Sequence, residues 1–303
     1  MGKTLKLIIN LFIFVMIAGF IAYMVTSVND NEETLTEYNA ENSFKSSYKK
    51  AFTIDIKDTV SAFEMNDTSL FILSKSTIKI NDKKGNHINS FAVKPNARDI
   101  KISQNLVFLL YPTFFDVYSL SGNLEYSWEA CSELSDYCSF TIADNFVFVT
   151  DAENKNICKY TKEGNFMAFI QSPHGFITPS HAFDITSKND TIYCVNPGRH
   201  LIESYTLDGE FLSAFGGSGM EAGFFSGCCN PAYISLNENG NIFTSEKGMP
   251  RICYYNSNGK LIEVVLNSRL LGGGHQACEI KANKDTLYVA SINKIDMYTK
   301  ADR

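Results

Sequence analysis

One signature returns five times along this chain: an apolar strand, a polar turn of two or three residues ending in Gly, and a second apolar strand. It reads IKINDKKGNHINSF around Gly85, VYSLSGNLEYSW around Gly122 and ICKYTKEGNFMAFI around Gly164. It returns as IESYTLDGEFLSAF around Gly209 and ICYYNSNGKLIEVV around Gly259. A tight hairpin turn needs a positive φ, which Gly adopts without steric cost. Successive signature glycines lie 37, 42, 45 and 50 residues apart, the length of one four-stranded unit in a radially repeated all-β fold. A second hairpin precedes the signature, as in AFDITSKNDTIYCV (182–195), AYISLNENGNIFTS (232–245) and FTIADNFVFVT (140–150). Two hairpins make four strands, and such a sheet covers both faces only by stacking on neighbouring units.

The last unit, CEIKANKDTLYVASINKIDMYTKADR, supplies three strands. The run AFTIDIK (51–57) is the expected fourth, so the two ends of the chain close the ring and remove an exposed sheet edge. The fold class that follows is all-β, a six-bladed β-propeller over 51–303. No long segment of helical period interrupts it.

Two stretches resemble the NHL-repeat family throughout their length: HAFDITSKNDTIYCVNPGRHLIESYTLDGEFLSAFGGSG (181–219) and PAYISLNENGNIFTSEKGMPRICYYNSNGKLIEVV (231–265). Blades three to six carry the resemblance, and blades one and two share only its pattern. The Asp that the family places after the second strand is kept at Asp151 and replaced by Asn196 and Glu246 in the next two blades. FSGCCNPAYISL with TSEKGMPRI also resembles a bacterial subgroup carrying a Gly-Cys-Cys-Asn-Pro turn. The resemblance implies a ligand or partner surface on one face of the ring, and no single activity, because propellers host many.

Before the repeats lies LKLIINLFIFVMIAGFIAYMV, with Lys3 and Lys6 ahead of or early in the run and Asp30, Glu32 and Glu33 beyond it. About 20 apolar residues span a bilayer, and the leading lysines orient the amino terminus toward the cytoplasm. The expectation is one transmembrane signal anchor (1–28), a polar spacer (29–50), and a propeller in the periplasm or outside the cell. A cleaved signal peptide is the alternative, although its apolar core is usually ~7–15 residues long. A net charge of −6 gives no basic footprint for nucleic acid. The expected partners are therefore the membrane and a protein or small molecule.

Aligned by blade, the eight cysteines fall into two groups. Cys158, Cys194 and Cys253 occupy strand interiors and read as small buried hydrophobes. Cys138, Cys228, Cys229 and Cys278 lie where innermost strands begin, with His181 and His275 at equivalent places. All innermost strands start on one face, so these residues, with Phe224 in the 216–230 loop, mark one channel rim. Three readings stand. Disulfides would join Cys131 to Cys138, and Cys228 or Cys229 to Cys278. A metal or redox site would use Cys228, Cys229, Cys278 and His275, or a vicinal disulfide of Cys228 and Cys229. The third reading is a buried and inert cluster. Glu246, Lys247 and Arg251 form a possible anion contact, expected on the opposite face; a solvated charged loop is its plain alternative.

No G-x-S-x-G, Walker, H-E-x-x-H or dinucleotide fingerprint is present, so no catalytic residue and no cofactor is assigned. Asp99, Asp184 and Glu279 are acidic at inner-strand positions, which keeps a lactonase-like metal-dependent hydrolase as a further alternative. The leading expectation is an envelope binding or scaffolding module, followed by a metal- or thiol-dependent redox protein.

Overall fold

The computed structural model describes residues 12–23, 46–179 and 182–301, in two compact units, 1–45 and 46–303. In the first unit residues 12–23 are helical with exposed apolar side chains. Among the described residues no helix is long and apolar enough to cross a membrane. The rest of the expected span, most of the spacer and His181 lie outside the described residues.

The second unit is a six-bladed propeller, each blade a four-stranded sheet. Blades one to five span 62–92, 99–129, 137–170, 185–216 and 233–266, each with strands in sequence order. Blade six takes three strands from 280–300 and its outermost from Tyr48–Asp55. That strand starts three residues before the expected Ala51. It pairs antiparallel with Lys294–Lys300, from Tyr48 opposite Lys300 to Asp55 opposite Lys294, with a bulge between Lys50 and Phe52. Lys50 Nζ and Thr53 Oγ1 both reach Asp296 Oδ1, at 2.7 and 2.6 Å, and fix the register of the closure.

The core is not one mass but six apolar clusters, one at each seam between blades. The closing seam is built from Ile54, Ile56, Tyr288 and Ile295 of blade six against Phe63, Leu70 and Ile72 of blade one. The signature glycines have a second role at these seams. Gly164 has φ +90°, and a Cβ there would stand 2.5 Å from Trp128 of the preceding blade. Gly85, Gly122, Gly209 and Gly259 face Ile54, Phe91, Ile170 and Phe215 in the same manner. Each turn thus seats on the outermost strand of the blade before it, and only a residue without Cβ allows both the turn and the contact.

Candidate functional site: the channel mouth

The innermost strands are Ala62–Met65, Asp99–Ser103, Tyr137–Ala143, Ile185–Lys188, Tyr233–Leu236 and Ile280–Asn283. Their starts share one face. There a cavity of about 240 Å³ is lined by residues of all six blades, among them Ser61, Asp99, Ser139, Asp184, Tyr233 and Glu279. Asp99, Asp184 and Glu279, which the sequence could not show to converge, do converge.

Their connections are specific. Ser139 Oγ lies 2.8 Å from Asp99 Oδ2 and 2.7 Å from Asp184 Oδ1. A hydroxyl carries one proton, so it donates to one carboxylate, and the other carboxyl completes the chain best by holding a proton itself. The electrostatics assign these roles. Burial holds Asp184 above its ordinary range. Burial also pushes Asp99 upward, but Lys101, Lys281 and the Phe140 N–H outweigh it and leave Asp99 below its ordinary range. Of the two, Asp184 is biased toward the protonated form and Asp99 toward the anion. Ile185 N–H and Ile234 N–H donate to Asp184 at 3.0 and 2.8 Å. Burial lifts Glu279 to about 7, with the neighbouring carboxylates adding to that push and Lys281 opposing it.

Two lysines that sequence reasoning missed answer these acids from deeper in the channel. Lys101 Nζ sits 2.7 Å from Asp99 and 3.9 Å from Glu64. Lys281 Nζ sits 3.5 Å from Glu64 and 3.3 Å from Glu279. Burial alone would lower Lys281, but Glu64, Glu279, Asp99 and Asp184 around it hold it well above its ordinary value. The signal was present in the sequence. Asp99-Ile-Lys101 and Glu279-Ile-Lys281 are acid-x-Lys runs at the start of innermost strands, and residues two apart share a face. Beyond them a second cavity of about 370 Å³ opens among the inner-strand ends, lined by Glu64, Thr141, Ser187 and Asn237.

Among the described residues no group of three or more His, Cys, Asp or Glu side chains is disposed to hold a metal. The carboxylates Glu64, Asp99 and Glu279 instead have ammonium partners.

The other expected residues separate. Cys138 lines the mouth, its thiol pushed up to about 12 by burial. His275 and Cys278 line an adjacent cavity with Thr59, Val60 and Ile292. Cys228 and Cys229 lie beside each other with Sγ–Sγ 3.0 Å. None of the eight cysteines is joined in a disulfide. Cys131 meets Cys158, on the third strand of its blade, at 3.5 Å rather than the expected Cys138, and its N–H donates to Tyr160 of that strand at 2.9 Å. Cys158, Cys194 and Cys253 are fully buried.

The anion contact is corrected on two points. Lys247 lines the mouth, on the same face as the strand starts. An antiparallel hairpin returns the end of its second strand beside the start of its first, and Tyr233 pairs with Ser245. Arg251, 4% exposed, is spent inside the protein. Its guanidinium binds Glu246 at 2.8 and 3.0 Å and donates to the carbonyls of Met220, Glu221 and Phe224. The pair clamps the 216–230 loop. Phe224 itself is 43% exposed on that loop. Asp151 and Asn196 do equivalent work in blades three and four, both fully buried and bonded to the turn that follows or faces them.

The blade five and six rim is knitted by polar bonds. Asn230 donates to the carbonyls of Ser226 and Lys247 at 2.7 and 2.9 Å and accepts from Lys247 N–H at 2.9 Å. Gly248 N–H donates to the His275 carbonyl at 2.8 Å.

No protein-family model matches the chain, and no curated protein does. Solved structures do. Virginiamycin B lyase from Staphylococcus aureus superposes with a TM-score of 0.58 at 15% identity, over 83% of this chain and 99% of that one. A streptogramin B lyase gives 0.57 at 13% identity, over 83% and 97%. A Bacteroides thetaiotaomicron protein of unknown function gives 0.58 at 11% identity, over 84% and 74%. At such identities the likeness is one of fold: the class is the six-bladed β-propeller.

Proposed function

We propose that this chain is an NHL-like binding propeller of the cell envelope, anchored through its apolar amino-terminal segment, which takes a ligand or partner group carrying a positive charge at the channel mouth. One observation carries the reading. The mouth is walled by all six blades and lined by Asp99, Asp184 and Glu279, with Glu64, Lys101 and Lys281 deeper in the channel. Among the described residues Asp184 has no ammonium partner, and Glu279 shares Lys281 with Glu64. Asp184 and Glu279 are both held upward by burial, and an arriving ammonium group would favour their charged forms. Arg98, which donates to Asp136 Oδ1 and the Tyr137 carbonyl at 2.5 Å each, and Lys247 shape the rim. The channel lysines, which already engage Glu64, Asp99 and Glu279, favour binding over lactonase-type hydrolysis.

Calorimetric titration of the full chain in detergent with putrescine, and with succinate as the anionic counterpart, tests this. Saturable putrescine binding that Glu279→Gln and Asp184→Asn abolish is the expected result. No response, an equal response to succinate, or binding unchanged in both variants would overturn the reading.

A further inference from the structure

The Gly-Cys-Cys-Asn-Pro turn lies on the entrance rim and has no part in the charged floor of the mouth. We propose that Cys228 and Cys229 form a reversible thiol–disulfide couple, oxidised by exchange with a small-molecule or protein disulfide. The sulfurs lie 3.0 Å apart, about 1 Å beyond the length of an S–S bond, and closure between neighbouring residues strains the local backbone, which favours ready reduction. Their access differs as the chemistry requires: Cys228 is exposed and Cys229 is 6% exposed.

The steps balance. The Cys228 thiolate attacks one sulfur of the donor disulfide, forming a mixed disulfide and releasing one donor thiolate. The Cys229 thiolate then attacks the Cys228 sulfur, closes the vicinal disulfide and releases the second donor thiolate. The protein loses two electrons and two protons, and the donor disulfide gains them. The hydrogen bond and charge shared with Cys229 hold the Cys228 thiol above its ordinary value, and Lys247 opposes them only in part. The first proton therefore belongs to the pair rather than to either sulfur.

The remaining cysteines form an internal contrast. Cys131 and Cys158 are also close, at 3.5 Å, but Cys158 is fully buried and burial drives its thiol far up. A thiol without access or thiolate does not exchange. Cys194 and Cys253 are likewise fully buried. The Cys228-Cys229 turn is instead tied by Asn230 to both the N–H and the carbonyl of Lys247, a residue of the mouth.

The experiment uses the native full chain, reduced and then equilibrated with glutathione buffers of increasing oxidised fraction. Acid quench, N-ethylmaleimide and peptide mapping follow. The expected result is that the peptide holding Cys228 and Cys229 loses two hydrogens and escapes alkylation at the oxidising end, and dithiothreitol restores it. Cys158, Cys194 and Cys253 stay thiols throughout. The proposal is overturned if both rim thiols are alkylated at every ratio, if wild type stops as a glutathione adduct, or if Cys229 is found linked to Cys278. Cys229→Ser should accumulate the glutathione adduct on Cys228 that wild type resolves; its absence would also overturn the scheme. This readout is independent of cation binding at the mouth.

Discussion

Replacing Arg251 by Met removes the guanidinium that binds both oxygens of Glu246 and three carbonyls of the 216–230 loop. The methionine keeps most of the volume, so the cost is electrostatic. Glu246 is 1% exposed and already pushed upward by burial, against which Arg251 supplies the opposing pull. Removing one partner of a buried ion pair costs about 3–5 kcal/mol. In a domain near this size each kcal/mol moves Tm by roughly 2–4 °C, so a fall of roughly 6–20 °C is expected. Trp128, the single tryptophan, is packed between blades two and three and reports ring unfolding in urea or on heating. The double variant Glu246→Gln with Arg251→Met should recover part of the loss, since an uncharged amide does not need the cation. A loss under about 1 kcal/mol, or a double variant no better than the single, would refute the argument. Phosphate that raises Tm of wild type but not of Arg251→Met would revive the anion contact.

Glu279 gives a pH prediction with a definite sign. The native state keeps its proton up to about 7, whereas the unfolded chain releases it near 4.5. The unfolded state binds fewer protons in that window, so this group removes stability as pH rises through it, by up to about 3 kcal/mol, and changes nothing above. Glu279→Gln should flatten that part of the Tm–pH curve; an unchanged slope would exclude Glu279 as its source. Gly164→Ala meets both a φ of +90° and the Trp128 ring, and should cost about 2–4 kcal/mol with a shift in tryptophan emission. Deleting 46–55 strips Tyr48 and Ile54 from two seams and exposes the edge of Lys294–Lys300, so size-exclusion chromatography should show aggregates rather than a monomeric ring. The proposed anchor predicts that the full chain resists alkaline carbonate extraction from membranes; complete release into the supernatant would argue against it.

The repeat was legible in the sequence because its cause is local. A hairpin turn needs positive φ, so Gly recurs at Gly85, Gly122, Gly164, Gly209 and Gly259 wherever a third strand meets a fourth. The number of blades and the closure by the amino-terminal strand follow from counting these units. Acid-x-Lys spacing in Asp99-Ile-Lys101 and Glu279-Ile-Lys281 also places each pair on one strand face. Which face meets which neighbour was another matter. Ser139 joins Asp99 and Asp184 across residues forty and forty-five positions away, a contact created only when blades two, three and four close around one axis. Hairpin geometry within blade five returned Lys247 to the strand-entrance face, and the approach of the 216–230 loop gave Arg251 its buried carbonyl partners. Cys228 and Cys229 are neighbours in any conformation, but the fold alone exposes one and buries the other. Local turn chemistry set the units; the channel and its charges exist only because six of them close into a circle.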